Sequence, residues 1–196
     1  ANALGLERLD LLGHSLGAGI ASLTAAAAPA RIGKLLLIEG LGPLADDGAR
    51  TLARWREALA QAGRRSHPLR VYPTLEAAVA IRVAVGGLDA DEARPIVARN
   101  LRDTDGGYLW RSDARLRLVT PLRMEEAQVR GLLAGIEAPT FLLLAEPATP
   151  YLPSALLEAR AACARDIRVE HIRGPHHLHI HCPQHVARLA VQFLGK

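Results

Sequence analysis

The residue best placed to do chemistry is Ser15, in the stretch Gly13-His14-Ser15-Leu16-Gly17. A serine hydroxyl becomes a nucleophile when a nearby base removes its proton. The G-x-S-x-G pattern alone is weak, and its setting gives it weight. Leu9 to Leu12 is a short apolar run that reads as a strand, and Ala18 to Ala28 is a small-residue segment that reads as helix. A strand that feeds a helix through a glycine-flanked serine is a nucleophile elbow. The turn is tight enough that side chains at Gly13 and Gly17 are expected to collide with neighbouring backbone. Ala18 and Gly19 are expected to let the helix lie close on the strand. Ser15 is then exposed above the strand's carboxyl end. The Leu16 N–H, at the helix N-terminus, can face a developing oxyanion. A helix-capping serine in a glycine-rich turn is the plainer alternative, and the flanking strand and helix favour the elbow.

The elements that must hold this serine are legible from hydrophobic patterning. Ala1 to Glu7 reads as a helical tail, and the helix after Ser15 should end at Pro29. Lys34 to Ile38 and Thr140 to Leu144 are fully apolar runs, the pattern of strands inside a parallel sheet. Ile167 to Ile172 reads as the last strand, and Pro183 to Leu194 as the closing helix with proline in its first turn. Between Leu44 and Gly135 the strand signal fades. Helices are expected over Asp46 to Ala62, stopped by Gly63, over Thr74 to Val85, and over Asp89 to Leu101. Asp89 and Glu92 have the spacing of a capping box. A short extended piece should carry Tyr108 and Trp110, and a further helix should open at Thr120 or Pro121 and run through Leu133. Pro153 to Ala164 is helical, and Gly174 to Cys182 is a histidine-rich loop. Strand–helix alternation gives an α/β fold with sites at the carboxyl ends of parallel strands. The expected division is a core of residues 1–43 and 136–196 and a helical insert of residues 44–135, far longer than an ordinary connection.

Composition excludes some functions. The 196 residues are 49% hydrophobic and 22% charged, enough for one real core. No apolar run approaches a membrane span and no secretory signal opens the chain, which gives a cytoplasmic expectation. Two cysteines, Cys163 and Cys182, do not suggest a disulfide framework. The net charge of +4 comes from scattered arginines, a bias seen in GC-rich bacterial genes. Aromatics are 4%, so the clustered basic and stacking residues of a nucleic-acid binder are not there.

The elbow and the elements after it resemble the α/β-hydrolase fold. From about Leu6 onward the chain is most similar to the serine hydrolase-like proteins, relatives of haloalkane dehalogenases and epoxide hydrolases. The resemblance implies that residues 44–135 are a cap domain. It also implies a triad in the chain order serine, acid, histidine. In this family a proline opening the final helix lies seven residues after the catalytic histidine. Counting back from Pro183 selects His176, with His177 as the alternative. The acid has two candidates. Glu39, in Glu39-Gly40-Leu41-Gly42-Pro43, fits the dehalogenase-type pattern of a glutamate four residues before a proline and is preferred. Glu146 follows the strand that carries the acid in most members, but the usual aspartate position there reads Ala148. Dehalogenases and epoxide hydrolases attack with aspartate. Serine at this position implies hydrolysis of a small carboxylic ester, or a related acyl substrate, through an acyl-enzyme.

The family normally has several strands before the elbow. The resemblance therefore leads one to expect a parallel half-sheet with the elbow strand as an open edge. The absent N-terminal strands would come from the same polypeptide or a companion chain. A second oxyanion donor normally lies in that earlier region. Its loss costs about a hundred- to a thousandfold, so this chain alone is expected to be nearly inactive. No cofactor is implied. Six of the eight histidines lie between His171 and His185, with His177, His179 and His181 alternating, but no acid or cysteine stands at a known zinc spacing, so no metal is expected. A non-catalytic protein that binds a small ligand, or an inactive hydrolase fragment, is the alternative reading.

Overall fold

The computed structural model describes residues 1–62, 70–149 and 152–195. The stop expected at Gly63 lies outside the described residues. Along the chain, β1 (Leu9–His14) leads into α1 (Leu16–Ala27) and β2 (Ile32–Ile38). The short β3 (Ala45–Asp46) precedes α2 (Thr51–Ala62), α3 (Leu75–Gly86) and α4 (Ala90–Asn100), and β4 (Leu101–Thr104) and β5 (Gly107–Trp110) follow. Next come β6 (Met124–Glu125), α5 (Glu126–Leu133), β7 (Thr140–Glu146), α6 (Ser154–Ala161), β8 (Ile167–Arg173), α7 (Leu178–His181) and α8 (Pro183–Leu194).

The main sheet has four parallel strands in the order β1-β2-β7-β8. Side chains alternate across a strand, and both faces of β2 and β7 are buried, which is why these segments are uniformly apolar. Leu35, Leu37, Leu142 and Leu144 face one core with Ala18, Ala21 and Ala25 of α1, Val129 and Leu133 of α5, and Leu157 of α6. Leu36, Ile38, Phe141 and Leu143 face the other with Leu178, Val186 and Leu189. Each fully buried leucine or phenylalanine contributes about 1.5–3 kcal/mol of transfer free energy. The sheet that carries the site is therefore its most firmly held part. Among the described residues, no strand pairs with the outer side of β1. No helix among the described residues is long and apolar enough to cross a membrane.

The chain divides into two compact units, Ala1–Gly48 with Met124–Lys196, and Ala49–Arg123. The insert boundaries expected at residues 44 and 135 therefore move inward. β3 pairs in parallel with β6, and Val129 and Leu133 belong to the sheet's own core. The second unit has its own apolar cluster, with Tyr72, Val79, Leu88, Val97 and Leu101 at its centre. Trp110 meets Tyr72 edge-on at 6.2 Å, and both Trp110 and Tyr108 pack against that cluster.

The helical tail expected over Ala1 to Glu7 is a single 3-10 turn, Asn2–Leu4, ended by Gly5 at φ 65°. The loop expected from Gly174 to Cys182 contains the short helix α7. Three further local expectations shift. The helix expected from Asp46 starts at Thr51, because Asp46 turns the chain by accepting the Gly48 N–H at 3.1 Å and Gly48 has φ 78°. Leu101, expected at a helix end, instead opens β4 and pairs with Trp110 in an antiparallel hairpin. The helix expected from Thr120 or Pro121 begins at Glu126, where the Gln128 side chain accepts the Glu125 N–H at 2.9 Å. The capping box at Asp89 and Glu92 forms as the spacing predicts.

Candidate active site

The site is assembled at the carboxyl ends of adjacent strands, where parallel sheets hold ligands. Strand β1 ends at His14 and delivers Ser15, while β2 ends at Ile38 and delivers Glu39. His14 and Ile38 are paired in register, so the next residue of each strand lies alongside the other. The Ser15 N–H donates to the Ile38 carbonyl at 2.9 Å, and the Glu39 N–H donates to Leu143 at 2.9 Å. These bonds continue the ladders past the strand ends and fix both backbones. Ser15 has φ 53° and ψ −117°, and Glu39 also has φ 53°. They are the two non-glycine residues with positive φ among those described. Such conformations cost about 1–3 kcal/mol each and persist where the surroundings over-determine them.

Close backbone approach accounts for the turn. A Cβ on Gly13 would lie 2.5 Å from the Gly17 carbonyl oxygen and 2.8 Å from Ala18 Cα. A Cβ on Gly40 would lie 3.0 Å from the Ser15 carbonyl oxygen and 3.0 Å from Ala18 Cβ, so the loop after β2 rests directly on the elbow. Gly17 departs from the expectation, since a Cβ there would meet nothing within 4 Å. Gly19 also has a different neighbour from the one expected. It approaches the Gly42 carbonyl, at 3.1 Å from a built Cβ, rather than the strand.

His176 lies in the loop after β8, between Ser15 and Glu39. Its Nε2 is 2.8 Å from Ser15 Oγ, and its Nδ1 is 3.0 Å from Glu39 Oε2. A carboxylate only accepts, so Nδ1 carries the proton and Nε2 presents its lone pair to the serine hydroxyl. The second Glu39 oxygen, Oε1, accepts a short hydrogen bond from the Ala145 N–H. Glu39 is 3% exposed. Its carboxylate is held from both sides and shielded from water.

A family model described as the α/β-hydrolase fold matches residues 1–80. A solved structure of a hypothetical protein from Pseudomonas aeruginosa is 38% identical, covers 100% of this chain and 71% of its own, and superposes with a TM-score of 0.86. The chain belongs to the α/β-hydrolase fold family. A serine hydrolase-like protein of Danio rerio is 25% identical over 98% of this chain, and the chain spans 62% of that relative's length. The thioesterase domain from the curacin biosynthetic pathway shares the fold at 23% identity and a TM-score of 0.77, over 95% of this chain and 67% of that one.

In this member of the α/β-hydrolase fold family the remaining site candidates fall as follows. Glu146 is exposed at the end of β7, and its backbone carbonyl accepts the Gly174 N–H at 3.1 Å. The carboxylate at His176 is that of Glu39. Leu16 and Gly17 open α1, a position whose N–H groups have no acceptor within the helix. His177, the alternative base, is buried with its ring 5.0 Å from His14, 5.2 Å from His176 and 6.0 Å from His179.

Two side chains escaped the sequence reading. The first is His14, whose Nε2–H donates to the His176 carbonyl at 3.0 Å and so pins the loop that carries the imidazole. Burial lowers the His14 pKa to about 4 against the raising effect of that bond, with His179 and His176 lowering it further, so the ring is neutral at pH 7. His179 is lowered in the same way, first by burial and then by His176. The position of His14 immediately before Ser15 was the available signal. The second is Arg160, which is 1% exposed. Its Nη2 donates to Glu126 at 2.7 Å and its Nη1 to the Leu41 carbonyl at 2.7 Å, anchoring the loop behind Glu39. Hydrogen bonding from Arg160 lowers the Glu126 pKa. In a chain rich in arginine, nothing in the sequence distinguishes this one.

The alternating trio of the histidine-rich loop does not form a common cluster. His181 lies over Gly174, with its Cδ2 3.0 Å from where a Gly174 Cβ would stand. The ring nitrogens that gather are those of His14, His177 and His179.

Proposed function

We propose that the protein is a serine-dependent hydrolase that cleaves small carboxylic esters, or related acyl substrates, through an acyl-enzyme on Ser15. The observation that carries this reading is the relay of 2.8 Å and 3.0 Å from the Ser15 hydroxyl through His176 to Glu39. His176 takes the hydroxyl proton as Ser15 Oγ attacks the ester carbonyl carbon. The oxyanion that develops is met by the Leu16 N–H. Collapse of the tetrahedral intermediate breaks the bond to the leaving alkoxide, which receives the proton from His176. Water, deprotonated by His176, then releases the acid and restores Ser15. Glu39 holds the tautomer and stabilises the imidazolium.

The similarity to the serine hydrolase-like protein of Danio rerio supports a serine nucleophile. We assign to Ala49–Arg123 the role that caps have in this family, shaping which acyl groups are accepted. Cys163 and Cys182 are both free thiols, which fits a cytoplasmic protein.

The test is pre-steady-state hydrolysis of a p-nitrophenyl ester series of increasing acyl length by the full-length protein. The reading expects a nitrophenol burst of about one equivalent per Ser15, and a loss of about a thousandfold or more in Ser15→Ala. Saturable ester binding with no turnover would mark a ligand-binding protein instead. Turnover unchanged in Ser15→Ala would remove Ser15 from the mechanism.

A further inference from the structure

We propose that His14, His177 and His179 form a binding site for a divalent transition-metal ion of the zinc class, beside the Ser15–His176 pair. One ring nitrogen from each lies within 4.8 Å of the other two. Zinc holding imidazoles at about 2.0–2.1 Å keeps their nitrogens about 3.4 Å apart in a tetrahedral shell. Side-chain rotations that move each nitrogen by about an ångström or less complete the set. The rings are already in contact, with His14 centroids 5.0 Å from His177 and 4.4 Å from His179.

Two further observations point to a ligand. Histidines that hold a metal donate their other ring N–H to a carbonyl or carboxylate, which fixes the tautomer. His14 has that arrangement without the metal. Its Nε2–H donates to the His176 carbonyl, which leaves the lone pair on Nδ1. His179 Nδ1 is buried and has no hydrogen-bond partner among the described residues. Buried polar atoms are satisfied as a rule, and each exception calls for an explanation. A metal ion would supply one.

The set is invisible to sequence spacing because the fold closes it. His177 and His179 are two residues apart, while His14 comes from the end of β1. Three neutral imidazoles leave the fourth zinc position open to water or an anion. His177 and the carbonyl that His14 holds belong to the loop that carries His176, and His179 belongs to α7, which follows directly. Occupancy therefore fixes that loop. The site stands on its own geometry and does not depend on ester hydrolysis.

The test is calorimetric titration of the metal-stripped protein with zinc chloride. The site predicts one saturable ion per chain, weakened at least about tenfold in His179→Ala and in His177→Ala. His185→Ala, whose ring lies 3.9 Å from Glu170, should leave it unchanged. No saturable binding, or equal affinity in His179→Ala, overturns the site. Should the variants fail to fold, zinc-edge X-ray absorption of the unmutated loaded protein decides. Three imidazole scatterers support the assignment, and an oxygen shell or a single imidazole overturns it.

Discussion

Replacing Glu39 by glutamine changes one atom pair and forces a choice. The carboxylate accepts two bonds, from the Ala145 N–H on Oε1 and from His176 Nδ1–H on Oε2. An amide has a single acceptor oxygen. If that oxygen stays on Ala145, the amide NH2 faces His176 Nδ1. The imidazole must then move its proton to Nε2, where it can no longer take the proton of Ser15. If the amide flips, its NH2 faces the Ala145 N–H, and a buried backbone donor loses its partner at a cost of about 1–3 kcal/mol. The backbone cannot change its donor, whereas an imidazole changes tautomer readily, so the unreactive arrangement prevails by roughly 5- to 150-fold. The missing negative charge no longer stabilises the imidazolium, and the corresponding Asp→Asn change in a Ser-His-Asp protease costs about 10⁴ in kcat. Glu39→Gln should therefore lower kcat for p-nitrophenyl acetate by about 10³- to 10⁴-fold, or about 4–5.5 kcal/mol of barrier. Glu146→Gln, at an exposed position, should stay within about threefold. Glu39→Gln with a tenth or more of the turnover retained, or collapse only in Glu146→Gln, would refute the assignment.

Further outcomes follow from the same contacts. Gly13→Ala drives a Cβ to 2.5 Å from the Gly17 carbonyl, so it should cost about 1–3 kcal/mol in urea unfolding and abolish turnover, whereas Gly17→Ala meets open space and should preserve the fold. Arg160→Met leaves the Leu41 carbonyl unpaired and leaves Glu126 with Arg130, at 3.3 Å, as its remaining ion-pair partner; it should cost about 2–3 kcal/mol and lower Tm by about 5–10 °C in calorimetry. The unfolded chain protonates His14 near its ordinary pKa of 6.5, while the folded protein does so only near 4. The unfolded state therefore binds more protons in that window, and urea midpoints should fall as pH drops from 6.5 toward 4; the contribution of this residue should be smaller in His14→Gln.

Much of this site could be read from residue order. Gly13 to Gly17 between an apolar run and a small-residue helix specified the elbow, because only a glycine at position 13 lets the turn close on Gly17 and Ala18. The acid and base positions came from resemblance in their spacing to Pro43 and Pro183, and the structure places both side chains within hydrogen-bond reach of one another. What stayed hidden depends on three-dimensional closure. The tightness attributed to Gly17 belongs to Gly13 alone, since the two positions look equivalent in a linear pattern. The apolar spacing of α5 says nothing about which core it enters, so sequence alone groups it with the insert; Val129 and Leu133 enter the core of the sheet. Asp46 and Leu101 had helical neighbours, but a left-handed glycine and a hairpin partner overrode local propensity. Arg160 carries no signature in sequence and His14 only its place before Ser15, because the backbone carbonyls they hold lie more than a hundred residues away.

The account depends on Ser15 being activated by His176. Reaction of the protein with a fluorophosphonate probe, followed by peptide mass mapping, measures that activation at the atom concerned. The account predicts a single phosphonyl adduct on the Ser15 peptide, lost in His176→Ala. An unlabelled Ser15, or an adduct that persists undiminished in His176→Ala, would contradict it.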